Sequence, residues 1–354
     1  MAAFDIKKLL QSVVTHGASD LHLVSRAEPQ IRLDGVLKPV NLPELIGDDI
    51  EEMCYSLITE KQKKQFEEHD ELDFALLIPG IGRFRANYYK TIGDMAAAFR
   101  IIPIDIPSLD DLGAPLIYKS LVKREKGLIL VTGPTGSGKS TTLAALLNEI
   151  NLTEQKHIVT VEDPVEFIHQ NKKCVFSHRG VGEDTKSFAT ALKYAMRQDP
   201  DIILIGEMRD KETIEAGLTA AETGHLVFAT LHTSSAAGTI NRIIDVFSGD
   251  EQPQIRAMIS SSLVAVIAQA LLPKLGGGRV AASEILITNH AISNLIREDK
   301  VHQIYSQMQL GQGDSGMQTQ TQALMKFIRD GKISRDVALQ YANKPDEVSR
   351  AVIK

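Results

Sequence analysis

The sequence has few cysteines, no excess of positive charge and no long apolar run, and each absence excludes a class of protein. Its two cysteines, Cys54 and Cys174, form no Cys-x-x-Cys pair, so neither a structural zinc site nor a disulfide framework is expected, and a reducing compartment fits. The formal net charge of −6 argues against a protein whose main task is gripping nucleic acid. The most apolar stretch, 263–272, is interrupted by Gln269 and is too short for a membrane span of about 20 residues.

The remaining composition is that of a soluble globular protein. Of its 354 residues, 43% are hydrophobic and 24% are charged, which excludes wholesale disorder and suggests about two domains. The first residues lack the basic and then apolar layout of a secretion signal. We therefore expect a soluble cytoplasmic protein.

The first hundred residues predict a small domain of mixed helices and strands. The dipeptides Asp34-Gly35 and Pro79-Gly80 each separate two apolar segments, which is typical of β-hairpins. A hairpin is predicted over 31–37, strands are predicted at 74–78, 83–89 and 95–102, and a helix is predicted over 48–68. Three prolines between 103 and 126 indicate a linker. The expected division is therefore 1–102, 103–126 and 127–354.

Alternating strands and helices are predicted after the linker. Short runs rich in β-branched residues lie at 128–132, 158–161, 202–205 and 226–230, and helical patterns separate them at 140–150 and 185–196. Such alternation predicts a parallel sheet that is covered on both faces. From residue 252 to the end, helical patterns dominate.

A phosphate-binding loop follows the first of these strands. The segment fits the Walker A pattern G-x-x-x-x-G-K-[ST], and it opens a predicted helix whose amino end favours anions. Lys139 is expected at the β- and γ-phosphates and Ser140 on Mg²⁺. The predicted nucleotide-binding residues are Gly133, Pro134, Thr135, Gly136, Ser137, Gly138, Lys139, Ser140 and Thr141.

Acidic residues at the ends of two other strands indicate catalysis. In an open parallel sheet, ligands bind beyond the carboxyl ends of the strands. Glu207 follows the run 202–205, whereas Asp201 precedes it, so Glu207 is expected to steer Mg²⁺ and Asp201 to be a structural or capping residue. A cluster of three carboxylates lies at 162–166, and one of them could activate water. A solvated acidic turn is the alternative.

The same rule selects one of two histidines. His232 follows the run 226–230 and is expected to sense the γ-phosphate together with Thr230, whereas His225 precedes the run and is expected to be structural. Phosphoryl transfer also benefits from an arginine. Three arginines of the first domain, Arg83, Arg85 and Arg100, could reach the nucleotide of a neighbour if identical subunits form a ring. Ordinary surface salt bridges are the alternative.

Together these motifs resemble the ring-forming secretion ATPases of type II secretion, type IV pili and type IV secretion, over nearly the whole chain. In that family the segment 160–166 is the Asp box, 206–210 ends the Walker B strand and 224–233 is the His box. The resemblance implies an α/β fold, with a small PAS-like α+β N-terminal domain. A RecA-like P-loop domain with a parallel sheet and a helical C-terminal part would follow it.

The resemblance also implies roles for single residues. Glu166, the last acid of its box, is the expected water-activating residue, Glu207 acts on Mg²⁺ and His232 reads phosphate. The arginines Arg83, Arg85 and Arg100 act on a neighbour, and His225 also matches a family position, which makes it a weaker candidate for nucleotide binding. The implied cofactors are ATP and Mg²⁺.

Within the family the chain is most similar to the ATPases of type IV pilus retraction. Its size, the segment 181–185 and the tail around 316–319 carry this similarity. The zinc site of assembly-type relatives needs four cysteines, which this chain does not have. One position departs from the subfamily, because Ser293 stands where the subfamily helix has an arginine.

The similarity implies a homohexameric motor at the cytoplasmic face of the inner membrane. Its expected partners are an inner-membrane platform protein of the pilus and a paralogous retraction ATPase, and no nucleic acid is expected. An assembly or secretion ATPase of the same family remains an alternative. Two alternatives are more distant. The acidic charge disfavours a RecA-like nucleic-acid translocase, and the full set of acids and histidines disfavours a non-catalytic regulator that ATP merely switches.

Overall fold

A computed structural model of the chain describes residues 5–33, 35–310 and 315–353, without the side chains at 352 and 353. The chain forms two compact units. The first contains Met1–Asp105 and the short segment Glu166–Ile168, and the second contains Ile106–Val165 and His169–Lys354.

The first unit is an antiparallel sheet with helices packed on it. The sheet has the strand order β3-β2-β1-β6-β5-β4, and Phe84 and Tyr88 of β5 point into the core, which also receives Ile50 of α2. Its helices are α1 (Ile6–Thr15), α2 (Gly47–Tyr55) and α3 (Glu60–His69). Its strands are β1 (Asp20–Leu23), β2 (Gln30–Leu33), β3 (Val36–Pro39), β4 (Glu71–Ile78), β5 (Gly82–Thr91) and β6 (Asp94–Ile102).

Both predicted hairpins of this unit are confirmed, as the pairs β2/β3 and β4/β5; Asp34, predicted in the first turn, lies outside the described residues. The single helix predicted over 48–68 was wrong, because two helices occupy this region. Thr59 breaks it: its side chain accepts from the Gln62 backbone N–H while the Gln62 side chain accepts from the Thr59 N–H. This capping box begins a new helix at Glu60.

The second unit is built on a seven-stranded sheet with the order β13-β12-β7-β11-β10-β8-β9. Its strands are β7 (Gly127–Thr132), β8 (His157–Glu162), β9 (Val175–Gly180), β10 (Ile202–Ile205), β11 (Leu226–Leu231), β12 (Leu263–Pro273) and β13 (Arg279–Ile287). Its helices are α4 (Ile117–Leu121), α5 (Lys139–Thr153), α6 (Phe188–Ala195), α7 (Lys211–Glu222), α8 (Ala236–Ile244), α9 (Gln252–Ser262), α10 (His290–Arg297), α11 (Ile304–Leu310), α12 (Gln320–Arg329), α13 (Arg335–Tyr341) and α14 (Pro345–Ile353), with a 3-10 turn at Val301–Gln303.

The four predicted strands of this unit are confirmed as β7, β8, β10 and β11, which pair in parallel. Successive residues of β7 pack on opposite faces of the sheet: Leu128 and Leu130 belong to one core, Ile129 and Val131 to the other. The carboxyl ends of these strands therefore meet at one edge of a sheet that is covered on both faces.

The prediction that helices dominate from residue 252 onward was incomplete, because two long strands lie there. The apolar run 263–272 forms most of β12, which pairs in parallel with β7 and antiparallel with β13. The sheet is thus parallel except at this edge. An apolar run buried on both faces has no period that separates a strand from a buried helix. None of the helices in the described residues is long and apolar enough to cross a membrane.

Candidate active site

The loop after β7 has the backbone of a phosphate cradle. Gly138 adopts φ +86° immediately before α5 begins at Lys139, a conformation that glycine adopts without a steric penalty. The first backbone N–H groups of a helix have no partner within the helix and carry its partial positive charge. The end of the loop therefore presents a site for an anion.

Lys139 lies along this loop. Its Nζ donates to the carbonyl oxygens of Gly133, at 2.9 Å, and Pro134, at 3.1 Å. Ser140 and Thr141 follow in the first turn of α5 and are half-buried. The loop and the first turn thus bring together an ammonium group, two hydroxyls and helix N–H groups.

Glu207 and His232 meet at the carboxyl edge of the sheet. Glu207 follows β10 and His232 follows β11, and His232 Nε2 lies 3.0 Å from Glu207 Oε1. Arg209 Nε contacts the same carboxylate. Burial alone would raise the pKa of Glu207, but the hydrogen bond from Arg209 and the charges of His232 and Arg209 outweigh it and hold that pKa below its usual range. Glu207 is therefore an anion at neutral pH.

Backbone contacts fix the segment that carries Glu207. The N–H of Gly206 donates to Val161 O of β8 at 2.7 Å, and the N–H of Met208 donates to Thr230 O of β11 at 3.0 Å. The Thr230 hydroxyl donates to Gly206 O. Glu207 is thus held between the ends of β8 and β11, the two strands that flank β10.

Threonine hydroxyls connect the His232 segment to the strand before the phosphate loop. The Thr239 hydroxyl of α8 lies 2.6 Å from that of Thr233 and 3.4 Å from that of Thr132, the last residue of β7. The N–H of Gly133 also donates to Leu231 O at 3.3 Å. A displacement of the segment after β11 would therefore act on the start of the loop.

The acidic segment at 162–166 is divided between the two units. Glu162 is the last residue of β8, and the following residues up to Val165 belong to the second unit, whereas Glu166 groups with the first. There the carbonyl oxygen of Glu166 accepts a hydrogen bond from Arg83 Nη1 at 2.6 Å. Arg83 therefore holds the backbone that carries the predicted water-activating carboxylate.

The other two predicted arginines make ion pairs within the first unit. Arg85 Nη2 lies 2.5 Å from Asp73 Oδ2, and Arg100 Nε lies 2.7 Å from Asp20 Oδ1. Arg85 and Arg100 are directly opposite each other on β5 and β6. The two arginines thus occupy neighbouring positions on the sheet. Their action on the nucleotide of a neighbouring subunit stays a prediction.

Two residues are placed at the other end of the strands. Asp201 precedes β10, and its Oδ2 accepts from the His157 N–H at 2.8 Å, as a capping residue would. His225 precedes β11, and its Nδ1 lies 3.0 Å from Ala220 O. A six-residue strand of about 3.3 Å per residue separates His225 from the edge that carries His232. The role of His225 in nucleotide binding stays a prediction.

Sequence reasoning did not assign a role to Arg209 or Gln269. Arg209 contacts Glu207 from within the same short segment, and Gln269 donates from β12 to the phosphate loop. Arg209 lies in the family segment 206–210 but was given no role of its own, and a single glutamine in an apolar strand matches no motif, so only the fold reveals what the two side chains touch.

The residues present fit a magnesium ion held together with a nucleotide. Mg²⁺ is usually bound by one or two carboxylates and by substrate phosphates, with water completing its shell. The Ser140 hydroxyl and the ionised Glu207 supply suitable oxygen ligands. Among residues 5–33, 35–310 and 315–353, no three His, Cys, Asp or Glu side chains are grouped so that they could hold a metal by themselves.

Comparison with known proteins gives near full-length matches. The family described as "Type II/IV secretion system protein" matches residues 2–277. The "Type IV pilus retractation ATPase PilT" of Pseudomonas aeruginosa is 51% identical over 342 residues, which cover 97% of this chain and 99% of that protein. The "Twitching motility protein" of Neisseria gonorrhoeae is 47% identical over 348 residues, 98% of this chain and 93% of that protein.

A solved structure shows the same fold. The crystal structure of the pilus retraction motor PilT with bound ADP superposes with a TM-score of 0.91 at 47% identity, and the match covers 98% of this chain and 99% of that one. Its bound ADP agrees with nucleotide use by the family. The chain therefore belongs to the type II/IV secretion ATPase family, within the group of the PilT-like pilus retraction ATPases.

Proposed function

We propose that this ATPase is the motor of type IV pilus retraction and that it couples ATP hydrolysis to the removal of pilins from the base of the fibre. The similarity to retraction and twitching-motility proteins extends over nearly the whole chain. Ser293, which stands where the retraction subfamily has an arginine, lies in α10, and its hydroxyl donates to Ser260 O of α9 at 2.9 Å.

The contact between Glu207 and His232 is the observation that carries the proposed chemistry. The strands β7, β11 and β10 are neighbours in the sheet, so the phosphate loop, His232 and Glu207 follow adjacent strands at one edge. The ionised Glu207 carboxylate is suited to hold Mg²⁺, and the His232 imidazole beside it is suited to contact the γ-phosphate.

Each residue is given one task in this proposal. The loop N–H groups and Lys139 bind the phosphates, and Ser140 and Glu207 hold Mg²⁺, which neutralises developing charge when bound. His232 contacts the γ-phosphate. Glu166 orients the attacking water or accepts its proton. Arg83, Arg85 and Arg100 would supply charge to a neighbouring subunit's nucleotide, and His225 is a weaker candidate for nucleotide binding.

The proposed assembly is a homohexamer with a PAS-like domain at 1–102, a linker at 103–126 and a RecA-like domain with its helical part at 127–354. The ring would work at the cytoplasmic face of the inner membrane on the platform protein of the pilus, and a paralogous retraction ATPase would be its second partner. The formal net charge of −6 supports this function over that of a nucleic-acid translocase.

Turnover assays with two acid variants test the catalytic assignment. In the presence of Mg²⁺, Glu166→Gln is expected to lower kcat by at least about 100-fold, since general-base catalysis contributes 10²–10⁴-fold, while ADP binding is retained. The matched variant Glu162→Gln, in the same acidic segment, should change kcat by only a few-fold. Equal losses in both variants, or full activity of Glu166→Gln, would reject Glu166 as the water-activating residue.

A further inference from the structure

Gln269 lies beside the phosphate loop on the neighbouring strand. β12 runs parallel to β7, and their register pairs Ala268 with Thr132, the last residue of β7. The next residue on β12 is Gln269, and the next residue after β7 is Gly133, where the loop begins. The strand pairing therefore carries Gln269 to the side of the loop.

The Gln269 side chain donates a hydrogen bond to the loop. Its Nε2 lies 2.6 Å from the carbonyl oxygen of Ser137, and only 3% of the residue is exposed. A carbonyl oxygen only accepts hydrogen bonds, so the amide must present its NH₂ group to it. Within the described part of the chain the Gln269 Oε1 atom is buried without a hydrogen-bond partner, so the NH₂ half makes the side chain's contact.

Gln269 also packs against both ends of the loop. A Cβ atom added to Gly133 would lie 2.3 Å from the backbone oxygen of Gln269, and one added to Gly138 would lie 3.2 Å from its Nε2. Glycine at 133 is thus required by the close approach of β12. Gln269 therefore lies against the loop both at its first residue, Gly133, and near its end, at Gly138.

The hydrogen bond fixes the direction of a phosphate-binding N–H. In a planar trans peptide, the C=O and N–H bonds point in opposite directions. Because Gln269 holds the Ser137 carbonyl toward β12, the N–H of Gly138 in the same peptide points away from β12. That N–H lies at the amino end of α5, where anions bind.

We propose that Gln269 is a positioning residue for nucleotide binding, which orients the Ser137–Gly138 peptide so that its N–H faces the phosphates. The inference rests on the proposed phosphate site at the loop. It assigns Gln269 no contact with the nucleotide, and it predicts an effect mainly on affinity, because the loop binds the phosphates both before and during the reaction.

The first test removes the donor and keeps the volume. In the full-length protein, Gln269→Met is expected to raise the Kd for ADP and the KM for ATP about tenfold, the upper range for one hydrogen bond. At saturating ATP, kcat should stay within about threefold of the wild type. An unchanged Kd in a folded variant, shown by its melting temperature without nucleotide, would overturn the proposal.

A second variant makes the effect depend on pH. In Gln269→Glu the introduced carboxylate cannot donate and would face the Ser137 carbonyl, but its protonated form can donate. Burial raises the pKa of such a carboxyl group. The Kd for ADP of this variant, relative to the wild type at each pH, should therefore improve as the pH falls from 8 to about 5. A ratio that does not change with pH would overturn the proposal, even if Gln269→Met does not fold.

Two controls separate this inference from its premises. Ser283 is buried and lies directly opposite Gln269 on β13, and its hydroxyl accepts a hydrogen bond from the Tyr118 hydroxyl at 3.1 Å. Ser283→Ala should therefore leave the Kd for ADP unchanged. Equal weakening by Ser283→Ala would reduce the Gln269 effect to general damage of the strand and overturn the proposal. Lys139→Ala should weaken ADP binding through the loop itself. If Lys139→Ala binds ADP as tightly as the wild type, the proposed phosphate site is rejected. If Lys139→Ala weakens ADP binding but the Gln269 variants do not, only the role of Gln269 is rejected.

Discussion

The Glu207 carboxylate is contacted by two basic side chains of the site. Arg209 contacts it from its own segment, and His232 contacts it from the next strand. These two contacts outweigh the effect of burial and hold the pKa of the carboxyl group below its usual range. In the proposed function, a bound Mg²⁺ would compete with these two side chains for the Glu207 carboxylate oxygens.

The pH dependence of stability tests this charge cluster. The pKa of Glu207 is lower in the folded protein than its usual value, so its ionised form stabilises the fold above the unfolded pKa of about 4.3, and this contribution is lost as the pH falls through the folded pKa. We expect wild type to melt at a higher temperature than Glu207→Gln near pH 7, and the difference to shrink below about pH 4. A difference that stays constant down to pH 3.5 would contradict the prediction.

Residues within a motif were predictable from sequence, and residues that act across the fold were not. The Walker A spacing places Lys139 and Ser140 without any structure, and the rule for strand ends selects Glu207 and His232. Gln269 has no such signal, because its partner Ser137 is 132 positions away in the sequence. The distance between two such residues is set by strand order, which no local pattern contains.

At the scale of elements, the close approach of the end of β10 to the end of β8 positions the Glu207 carboxylate. A Cβ atom on Gly206 would lie 3.1 Å from both Glu162 Cα and Val161 O. These are backbone atoms of β8, so they cannot move aside as a flexible side chain would. Only glycine allows the segment before Glu207 to lie against the end of β8.

Gly206→Ala should therefore separate the two strand ends. We expect a loss of about 1–3 kcal/mol in stability, as in other overpacked sites, and a lower kcat in the Mg²⁺-dependent assay because Glu207 is displaced. The control is Gly249→Ala, since a Cβ there meets no atom within 4 Å. Equal melting temperatures and turnover in the two variants would contradict the prediction.

A buried carboxylate joins two helices of the second unit. Glu284 of β13 accepts from the N–H of Ala236, the first residue of α8, at 2.8 Å, and also from that of Gln320, the first residue of α12. Burial raises its pKa, although these N–H donors and Lys344 oppose the rise. The carboxylate thus ties the C-terminal helices to the helix that follows the His232 segment.

Replacing this carboxylate gives a pH effect of the opposite sign to that of Glu207. Because the pKa of Glu284 is raised in the fold, its favourable contribution is complete below the unfolded pKa of about 4.3 and is lost as the pH rises through the folded pKa. The melting temperature of Glu284→Gln, relative to wild type, should therefore increase between pH 4 and pH 7. A relative melting temperature that falls over this range would show that ionisation of Glu284 stabilises the fold.

The elements that the sequence predicted correctly are those whose ends are marked by turn residues or by glycine-rich or acidic segments. Asp-Gly and Pro-Gly turns marked the hairpins, and glycine-rich or acidic segments marked the ends of the parallel strands. β12 was missed because its residues are buried on both faces, so it shows no alternation. The break between α2 and α3 was missed because it depends on the reciprocal hydrogen bonds of Thr59 and Gln62, which a helical pattern passes over.

At the scale of the whole molecule, a ring makes one subunit depend on another. Arg85 and Arg100 are paired with Asp73 and Asp20, respectively, inside their own unit, so an action on a neighbour would require them to exchange partners. If they act in trans, a subunit that lacks the arginine still has an intact phosphate loop, and a Lys139→Ala subunit still has the arginine.

Mixing two inactive variants tests this dependence. Arg100→Ala and Lys139→Ala, co-assembled in equal amounts, should recover up to about a quarter of wild-type ATPase activity, since that fraction of interfaces in a random ring combines both intact parts. Each variant alone should be nearly inactive. The same mixture with Arg85→Ala compares the second arginine. Failure of both mixtures to recover activity would contradict action in trans.

The pilus itself provides the most direct test of the central claim that this ATPase drives retraction. Labelled pili would be imaged in cells that lack the gene and in cells that carry the wild-type gene or Lys139→Ala in its place. We predict fibres that extend but do not shorten without the gene, shortening when the wild type is restored, and no shortening with Lys139→Ala. Cells without fibres would assign the protein to assembly instead, and unchanged pilus dynamics would show that it drives another machine; either result would contradict the account.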